Sequence, residues 1–529
     1  MMPTTKEQQR NELHKTIWSI ADDLRGSVDG WDFKQYILGT LFYRFISENL
    51  CAYLAEQEGD PSFDYAKLPD DQAEYGREET VKEKGFFILP SELFSRVLET
   101  VDKDGMAKAE GGDDLNEILV RVFANIEGSA VGTDSEDALK GLFADFDPNS
   151  PKLGNTVIER NKKLVTLITK IGSLNFGGAF QDNNIDAFGD AYEFLMTMYA
   201  SNAGKSGGEF FTPQEVGELL ARIAIGNRAS VNKVYDPCCG SGGLLLKFAK
   251  ILGADNVRSG FFGQEINLTT YNLARINMFL HDVNFDKFSL AREDTLKHPM
   301  HWDDEPFDAI VSNPPYSIKW EGKSNPLNIN DPRFSPAGVL APPSKADLAF
   351  TMHMLSWLST EGTAAIVEFP GVLYRGSAEG KIRDYLVRNN FVDAVIQLPA
   401  DLFFGTTIAT CVLVLKRSKA TSDILFVDAS TEFQRADAKN KLTPANIDRI
   451  AQTVIDRTEE ENFSVLVPND GVLANDANLS VSSYVEKLDE RKEVDITALN
   501  AEIAHIVARE QELRDAIDEI IADLEGGAR

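Results

Sequence analysis

Basic residues are scarce in this chain. Its 529 residues carry 53 Lys and Arg against 83 Asp and Glu, a formal net charge of −30. Contacts from Lys and Arg to phosphates dominate non-specific affinity for DNA, and like charge repels the duplex. A protein this acidic is not expected to hold DNA unaided. Cysteine is scarcer still. Cys51, Cys238, Cys239 and Cys411 are too few and too scattered for a disulfide framework, which fits a reducing cytosol. His298 and His301 share a short loop without Cys or carboxylate partners at ligand spacing, so no metal site is expected and both are expected at the surface. No uncharged apolar run reaches the ~18 residues of a membrane span. Met1–Asn11 is polar and lacks an apolar signal core. The expectation is a soluble cytoplasmic protein with no membrane contact, long enough for two or three domains.

The most informative stretch that is present is Ser312-Asn313-Pro314-Pro315-Tyr316, directly after the apolar run Phe307-Asp308-Ala309-Ile310-Val311. A short β-branched run ending in Asn-Pro-Pro reads as a buried strand, stopped by two residues with fixed φ and no N–H donor. In an open α/β sheet, ligands bind at the carboxyl ends of strands. The stiff loop there presents an amide, two carbonyls and an aromatic face, the parts needed to hold a flat base with an exocyclic amine. Such an amine is a poor nucleophile because its lone pair is delocalised into the ring. Two acceptors that take its hydrogens pull the nitrogen towards tetrahedral geometry and aim the lone pair at an electrophile. The side-chain carbonyl of Asn313 and the backbone carbonyl of Pro314 can be those acceptors, while Pro315 stiffens the turn. Tyr316 can stack on the base, an interaction worth ~1–3 kcal/mol. No general base of high pKa is needed, since the proton leaves after the nitrogen becomes cationic. Alone, the same residues would also make a rigid turn with an incidental tyrosine. The stretch resembles the motif of amino-methyltransferases that act on adenine N6.

Upstream, Val231–Asp236 reads as a strand, and Pro237-Cys238-Cys239-Gly240-Ser241-Gly242-Gly243 as a glycine-rich turn into the apolar helix Leu244–Ile251. Glycines there permit positive φ and close backbone approach to a ligand at a helix N-terminus. A second strand, Phe261–Gln264, ends at Glu265 before a helical stretch Asn267–Asp282, and a third, Lys287–Ala291, runs out at Asp294. Asp236, Glu265 and Asp294 are each 29 residues apart, and Asn313 follows 19 later. Units of ~30 residues are the size of a βαβ crossover, so the acids fall at or just beyond the ends of successive parallel strands. Each acid could also be a plain solvated strand end. A dinucleotide site would need a third glycine in register, where Leu244-Leu245-Leu246 stands instead. Asp-Pro-x-x-Gly-Ser-Gly resembles motif I of S-adenosylmethionine-dependent methyltransferases. That resemblance implies that Gly240, Ser241, Gly242 and Gly243 pass beside the amino-acid part of S-adenosyl-L-methionine. It also implies that Asp236 meets the methionine ammonium or the loop backbone, Glu265 the ribose hydroxyls and Asp294 the adenine amine.

Gly207-Gly208-Glu209-Phe210-Phe211-Thr212-Pro213-Gln214 lies just before the first strand and opens a helix, with Thr212 as the expected N-cap. The order of Phe-Thr-Pro, cofactor loop and Asn-Pro-Pro-Tyr is similar to that of the γ-type adenine methyltransferases. Together with Tyr192-Glu193-Phe194-Leu195, Asp331-Pro332-Arg333-Phe334 and Lys345-Ala346-Asp347-Leu348-Ala349-Phe350, it resembles the modification subunit of type I restriction-modification enzymes. The resemblance runs over nearly the whole chain, from Trp18 to the C-terminal helix. It implies methyl transfer from S-adenosylmethionine to adenine N6 in double-stranded DNA after base flipping, with Glu209, Phe210, Phe211, Thr212, Pro213 and Gln214 wrapping the cofactor from the far side. It implies three partners: a specificity subunit that reads the sequence, a restriction (nuclease/translocase) subunit, and a second copy in a complex of two modification subunits and one specificity subunit. Two rivals remain. A protein glutamine methyltransferase could use the same Asn-Pro-Pro-Tyr on a side-chain amide, and a catalytically idle scaffold could bind cofactor only to regulate assembly.

The expected fold is α/β: a Rossmann-like methyltransferase with a mostly parallel seven-stranded sheet, an all-helical N-terminal domain and a coiled-coil-like C-terminal helix. The sheet is expected to resume with Thr363–Phe369, Phe391–Leu398, Ala409–Leu415 and Ile424–Val427 before the chain closes in helices. The expected domains are residues 1–160, 161–484 and 485–529. Helical spacing of Ile17, Ile20, Leu24, Tyr36, Leu38, Leu41, Phe42, Phe45 and Ile46 marks the first, with Asp64–Lys84 as a charged surface excursion. Residues 317–346 contain Lys319, Lys323, Arg333 and Lys345 against Glu321 and Asp331, and read as either a lid on the flipped strand or a disordered loop. Ile496, Leu499, Ile503, Ile506, Leu513, Ile517, Ile520 and Leu524 step by threes and fours, interrupted at Glu510. That spacing argues for a coiled-coil-like seam, or for a helix folded onto its own domain. The family implies that it docks on helices of the specificity subunit.

Overall fold

The computed structural model describes residues 14–15, 17–20, 30–60, 62–174, 194–195, 212–403, 406–436, 439–486 and 496–526. The chain divides into two compact units, Met1–Val485 and Glu486–Arg529.

The first unit begins in helices. Helix α1 (Gly30–Glu58) is buried on all sides from Tyr36 to Ser47, with Tyr36, Leu38, Leu41, Phe42, Phe45 and Ile46 in the core. Helix α2 (Leu115–Ser129) contributes Leu115, Leu119, Val122, Phe123 and Ile126 to the same core. Thr156 caps helix α3 (Val157–Ser173): its side chain accepts from Glu159 N at 3.2 Å while the Glu159 carboxylate accepts from Thr156 N. The buried stripe Leu164, Leu167, Ile168 and Ile171 recurs at helical spacing, and Arg44 of α1 donates to Ile171 O and Leu174 O. The expected boundary at 160 therefore cuts a helix whose apolar face belongs to the N-terminal core. Asp64–Lys84 is also not a bare excursion, because it folds into short helical turns that bury Tyr65, Ala73, Thr80 and Val81. Its charges lie on the outside of a segment that still packs.

A nine-stranded sheet follows. Its strands in chain order are β1 (Val231–Asp236), β2 (Val257–Glu265), β3 (Phe288–Arg292), β4 (Phe307–Ser312), β5 (Leu358–Glu368), β6 (Val392–Gln397), β7 (Cys411–Lys416), β8 (Asp423–Asp428) and, after a hairpin of β9 (Gln434–Ala436) and β10 (Lys439–Lys441), β11 (Ser464–Pro468). The order across the sheet is β11-β8-β6-β7-β5-β4-β1-β2-β3. β7 runs antiparallel to both neighbours, β11 is antiparallel to β8, and the other pairs are parallel. Seven strands, β3-β2-β1-β4-β5-β7-β6, form the expected methyltransferase sheet, and β8 and β11 extend it. β11 was not legible as a strand: it is a short edge element ending in Pro468, where a missing N–H costs no ladder bond.

Helices α4 (Gln214–Ile225), α5 (Gly243–Leu252), α6 (Leu268–Leu280), α7 (Asp347–Trp357), α8 (Ser377–Arg388) and α9 (Pro444–Asp456) cover the sheet. The helical N-terminal part packs against α6. There Arg275 is buried and donates to Asp137 O and Lys140 O at 3.0 and 2.9 Å, and Phe42 meets Phe279. The remote carbonyls that accept from its Nη1 tie the two parts in one register.

The second unit contains helix α10 (Ile496–Gly526). Leu499, Ile503, Ile506, Leu513, Ile517 and Ile520 are 45–59% exposed along it. No helix among the described residues is long and apolar enough to cross a membrane.

Candidate active site

Three loops meet where β1, β2 and β4 end. β1 stops at Asp236, which is buried. Its Oδ1 accepts from Cys238 N at 3.0 Å and from the Ser312 hydroxyl at 2.8 Å, joining the glycine-rich turn to the end of β4. Its Oδ2 is buried with no partner among the described residues. Burial pushes the Asp236 carboxyl up to about 7, and the nearby Glu265 adds to the rise. Gly240 and Gly242 adopt φ of 54° and 77°, and a Cβ on Gly242 would meet Met278 Cε at 3.2 Å. Cβ positions on Gly240 and Gly243 face open space. The backbone of the turn therefore borders a volume that side chains do not fill. Asn277 donates to Ser241 O at 2.8 Å and fixes the turn from α6.

Glu265 lies at the end of β2. Its carboxylate accepts from Gly240 N at 3.1 Å and from Asn267 N at 2.8 Å. Asp294 stands two residues beyond β3 and accepts from Leu296 N at 3.0 Å. Both acids are aimed by backbone donors, unlike freely solvated strand ends. Thr295 clips this loop to the first by donating to Pro237 O at 2.6 Å.

Asn313 follows β4 directly. Its Nδ2 donates to Thr212 Oγ1 at 3.0 Å, and the Tyr316 hydroxyl donates to its Oδ1. Thr212 is not the N-cap expected from sequence. Pro213 takes that position with extended backbone angles, which frees the Thr212 hydroxyl to set the Asn313 amide. Gln214 begins α4; Glu209, Phe210 and Phe211 lie outside the described residues. Pro314 is buried and Pro315 half-buried. Tyr316 packs at 46° to Phe369, with ring centroids 5.8 Å apart, and burial raises its phenol pKa well above the ordinary value. Ser317, at φ 52°, donates its N–H to Asp347 Oδ1 at 3.0 Å, so a buried acid at the start of α7 holds the exit of the turn.

Residues 317–346 form an ordered loop with three 3₁₀ turns. Its ends close through Ala346 N to Ile318 O and Trp320 N to Pro343 O, both 3.0 Å. Arg333 is buried within it. It donates to Thr295 O and Leu296 O at 2.9 and 2.8 Å and pairs with Asp331. The loop is thus fastened to the segment carrying Asp294, and Arg333 is consumed internally instead of adding to an external positive field. His301, expected at the surface, is buried between Asp304 Oδ2 (2.8 Å) and Gly263 O (3.0 Å). Sequence reasoning assigned no role to Ser312, Asp347 or Arg333. The latter two stood in segments that carried the family resemblance, and Ser312 had only its place beside Asn313 as a signal. No cluster of metal-ligating side chains occurs among the described residues.

The family model for N-6 DNA Methylase matches residues 183–493, and that for the HsdM N-terminal domain matches residues 13–171. The chain is an N-6 DNA methylase of the type I restriction group. It is 48% identical to the type I restriction enzyme MpnII methylase subunit of Mycoplasma pneumoniae, over 99% of this chain and 98% of that one. It is 32% identical to the MjaVII methylase subunit of Methanocaldococcus jannaschii over 66% of this chain and 60% of that one. The crystal structure of a type I methyltransferase subunit from Streptococcus thermophilus matches with a TM-score of 0.80 at 35% identity, covering 90% of this chain and all of the other. The methylase transfers a methyl group to adenine N6 in DNA as the modification subunit of a type I restriction-modification system.

Proposed function

We propose that S-adenosyl-L-methionine is the methyl donor and lies against the ends of β1, β2 and β3. The observation that carries this reading is the buried, unpartnered Oδ2 of Asp236 beside a glycine turn that borders open space. A carboxylate buried without a counter-charge is costly, and an ammonium group at Oδ2 would relieve it. Gly240, Ser241, Gly242 and Gly243 pass the amino-acid end, Glu265 takes the ribose hydroxyls and Asp294 the adenine amine. Thr212, Pro213 and Gln214 border the far side. When bound, the donor supplies an electrophilic methyl on a sulfonium.

Around the target base, Asn313 Oδ1 and Pro314 O accept the two amine hydrogens. Thr212 and Tyr316 hold the Asn313 amide in the orientation that presents oxygen to the amine. Pro315 stiffens the turn and the Tyr316 ring stacks on the extruded adenine, which must leave the duplex for its amine to be reached. A net charge of −30 calls for a DNA-reading partner. We assign that role to a specificity subunit docked on the C-terminal helix Ile496–Gly526, alongside a restriction subunit and a second copy of this chain. On this reading the helical N-terminal part and the sheet form the catalytic body.

The test is Asn313→Ala in the assembled complex. Methylation is expected to vanish while calorimetric titration with S-adenosylmethionine gives a near-normal affinity. Loss of both together would make Asn313 structural and overturn its assignment.

A further inference from the structure

The end of β5 lies beside the end of β4, with Ser312 opposite Ile366 in register and Phe369 against Tyr316. The chain leaves β5 through a 3₁₀ turn, Pro370–Leu373, and then presents Tyr374, which is 60% exposed, and Arg375. The base of this segment is firmly held. Buried Arg383 donates to Val372 O at 2.9 Å and Arg375 O at 2.6 Å, and Leu479 N donates to Leu373 O at 2.8 Å. Ser377 is kept at φ 60°, a conformation an L-residue adopts at a cost and that tends to persist where surrounding structure enforces it. The Arg375 guanidinium lies across Gly371 so closely that a Cβ there would stand 2.2 Å from Nη2.

Arg375 itself is under-used. Its one hydrogen bond from the guanidinium among the described residues is a 3.4 Å contact from Nη1 to Glu379, which leaves the Nε and Nη2 donors open. Its side chain is 25% exposed. Arg333 and Arg383, by contrast, spend their donors on backbone carbonyls. A rigidly mounted, partly desolvated guanidinium with spare donors, on the segment that leaves Phe369 where it packs on Tyr316, matches the fork geometry of a phosphate.

We propose that Arg375 contacts a backbone phosphate next to the target adenine and holds the strand while the base is out of the stack. This rests on the reading of Asn313 to Tyr316 as the base-holding turn. The contact is made by the catalytic chain itself, separately from whatever positive field its partners bring.

The test uses the complete methyltransferase complex on a duplex containing its recognition sequence. Neutral methylphosphonate linkages replace single phosphates around the target adenine. Wild-type binding is expected to weaken about tenfold at one linkage, as suits loss of one charge-assisted contact. Arg375→Gln should weaken binding to the natural duplex by a similar factor and show no further loss at that linkage. The slope of log affinity against log salt should fall by about 0.9. Because Arg375 neighbours the buried Glu379, the same measurement in an Arg375→Gln, Glu379→Gln double variant removes any orphaned carboxylate. If the Arg375 variants remain as sensitive as wild type at every linkage, or wild type is indifferent to all of them, the contact does not exist. A wild-type complex that methylates adenine while Asn313→Ala also does so would instead sink the parent reading.

Discussion

Replacing Asp236 by Asn should stabilise the cofactor-free protein at pH 8 while weakening its hold on S-adenosylmethionine. Asp236 has its carboxyl raised from 3.8 to about 7 by burial. A raised folded value means that the folded state disfavours the ionised form. The associated stability is fully present below about pH 4 and is lost as pH rises to about 7. A shift of about three units at ~1.36 kcal/mol each sets an upper bound of ~4 kcal/mol lost by pH 8. Asn keeps the Oδ1 acceptor for Cys238 N and Ser312 Oγ, but places an amide donor where Oδ2 is now buried and unpaired. That donor costs ~1–3 kcal/mol at either pH, leaving a net gain of ~1–3 kcal/mol at pH 8 and a net loss of ~1–3 kcal/mol at pH 4. Urea denaturation midpoints of both proteins from pH 4 to 8 read this directly. Calorimetric titration between pH 5.5 and 7, below the ordinary α-amino range, reads the cofactor side. Wild-type affinity should climb with pH as Asp236 ionises, and Asp236→Asn should bind at least tenfold more weakly with that climb removed. Parallel pH profiles for the two proteins in both assays would refute the argument.

Glu368 is wholly buried with Oε2 unpaired, and burial together with Asp347 raises its carboxyl from 4.5 to about 8. Its stabilising contribution is lost as pH rises from about 4.5 to 8, so Glu368→Gln should flatten the fall in urea midpoint over that window. Arg333→Met leaves Asp331 and two loop carbonyls without their donor and should destabilise by ~3–5 kcal/mol. It should also loosen the Asp294 segment, visible as faster amide exchange across residues 293–298. Deleting residues 496–529 should leave a folded, cofactor-binding protein that no longer joins its specificity subunit on size exclusion and binds DNA only weakly. Normal assembly and methylation by that truncation would return the helix to its own domain.

The strands around the site were legible because their signals are local. Val231–Asp236 was read with the bounds the structure shows, and β4 was misjudged by one residue, since apolar runs ending in Asp-Pro or Asn-Pro-Pro leave little freedom. β2 begins four residues earlier than expected, at Val257. Gly260 breaks its apolar pattern, yet sits at φ 98° where Lys287 O approaches too closely for any Cβ. What stayed hidden depends on remote partners. His301 reads as a surface residue until Gly263 O, 38 positions away, is seen to accept from its Nε2. Arg333 counts as free charge until Thr295 O and Leu296 O absorb it. Thr212 looks like a cap until Asn313, 101 residues on, claims its hydroxyl. Composition likewise misled at Asp64–Lys84, where the burial of Tyr65, Ala73, Thr80 and Val81 packs a charged segment.

The most direct measurement is nucleoside mass spectrometry on recognition-site DNA after incubation of the complete complex with methyl-labelled S-adenosylmethionine. Label in N6-methyladenine, one per target base, absent with Asn313→Ala, is the result expected of this site. Label on cytosine, on a protein glutamine amide, or undiminished in Asn313→Ala would contradict it.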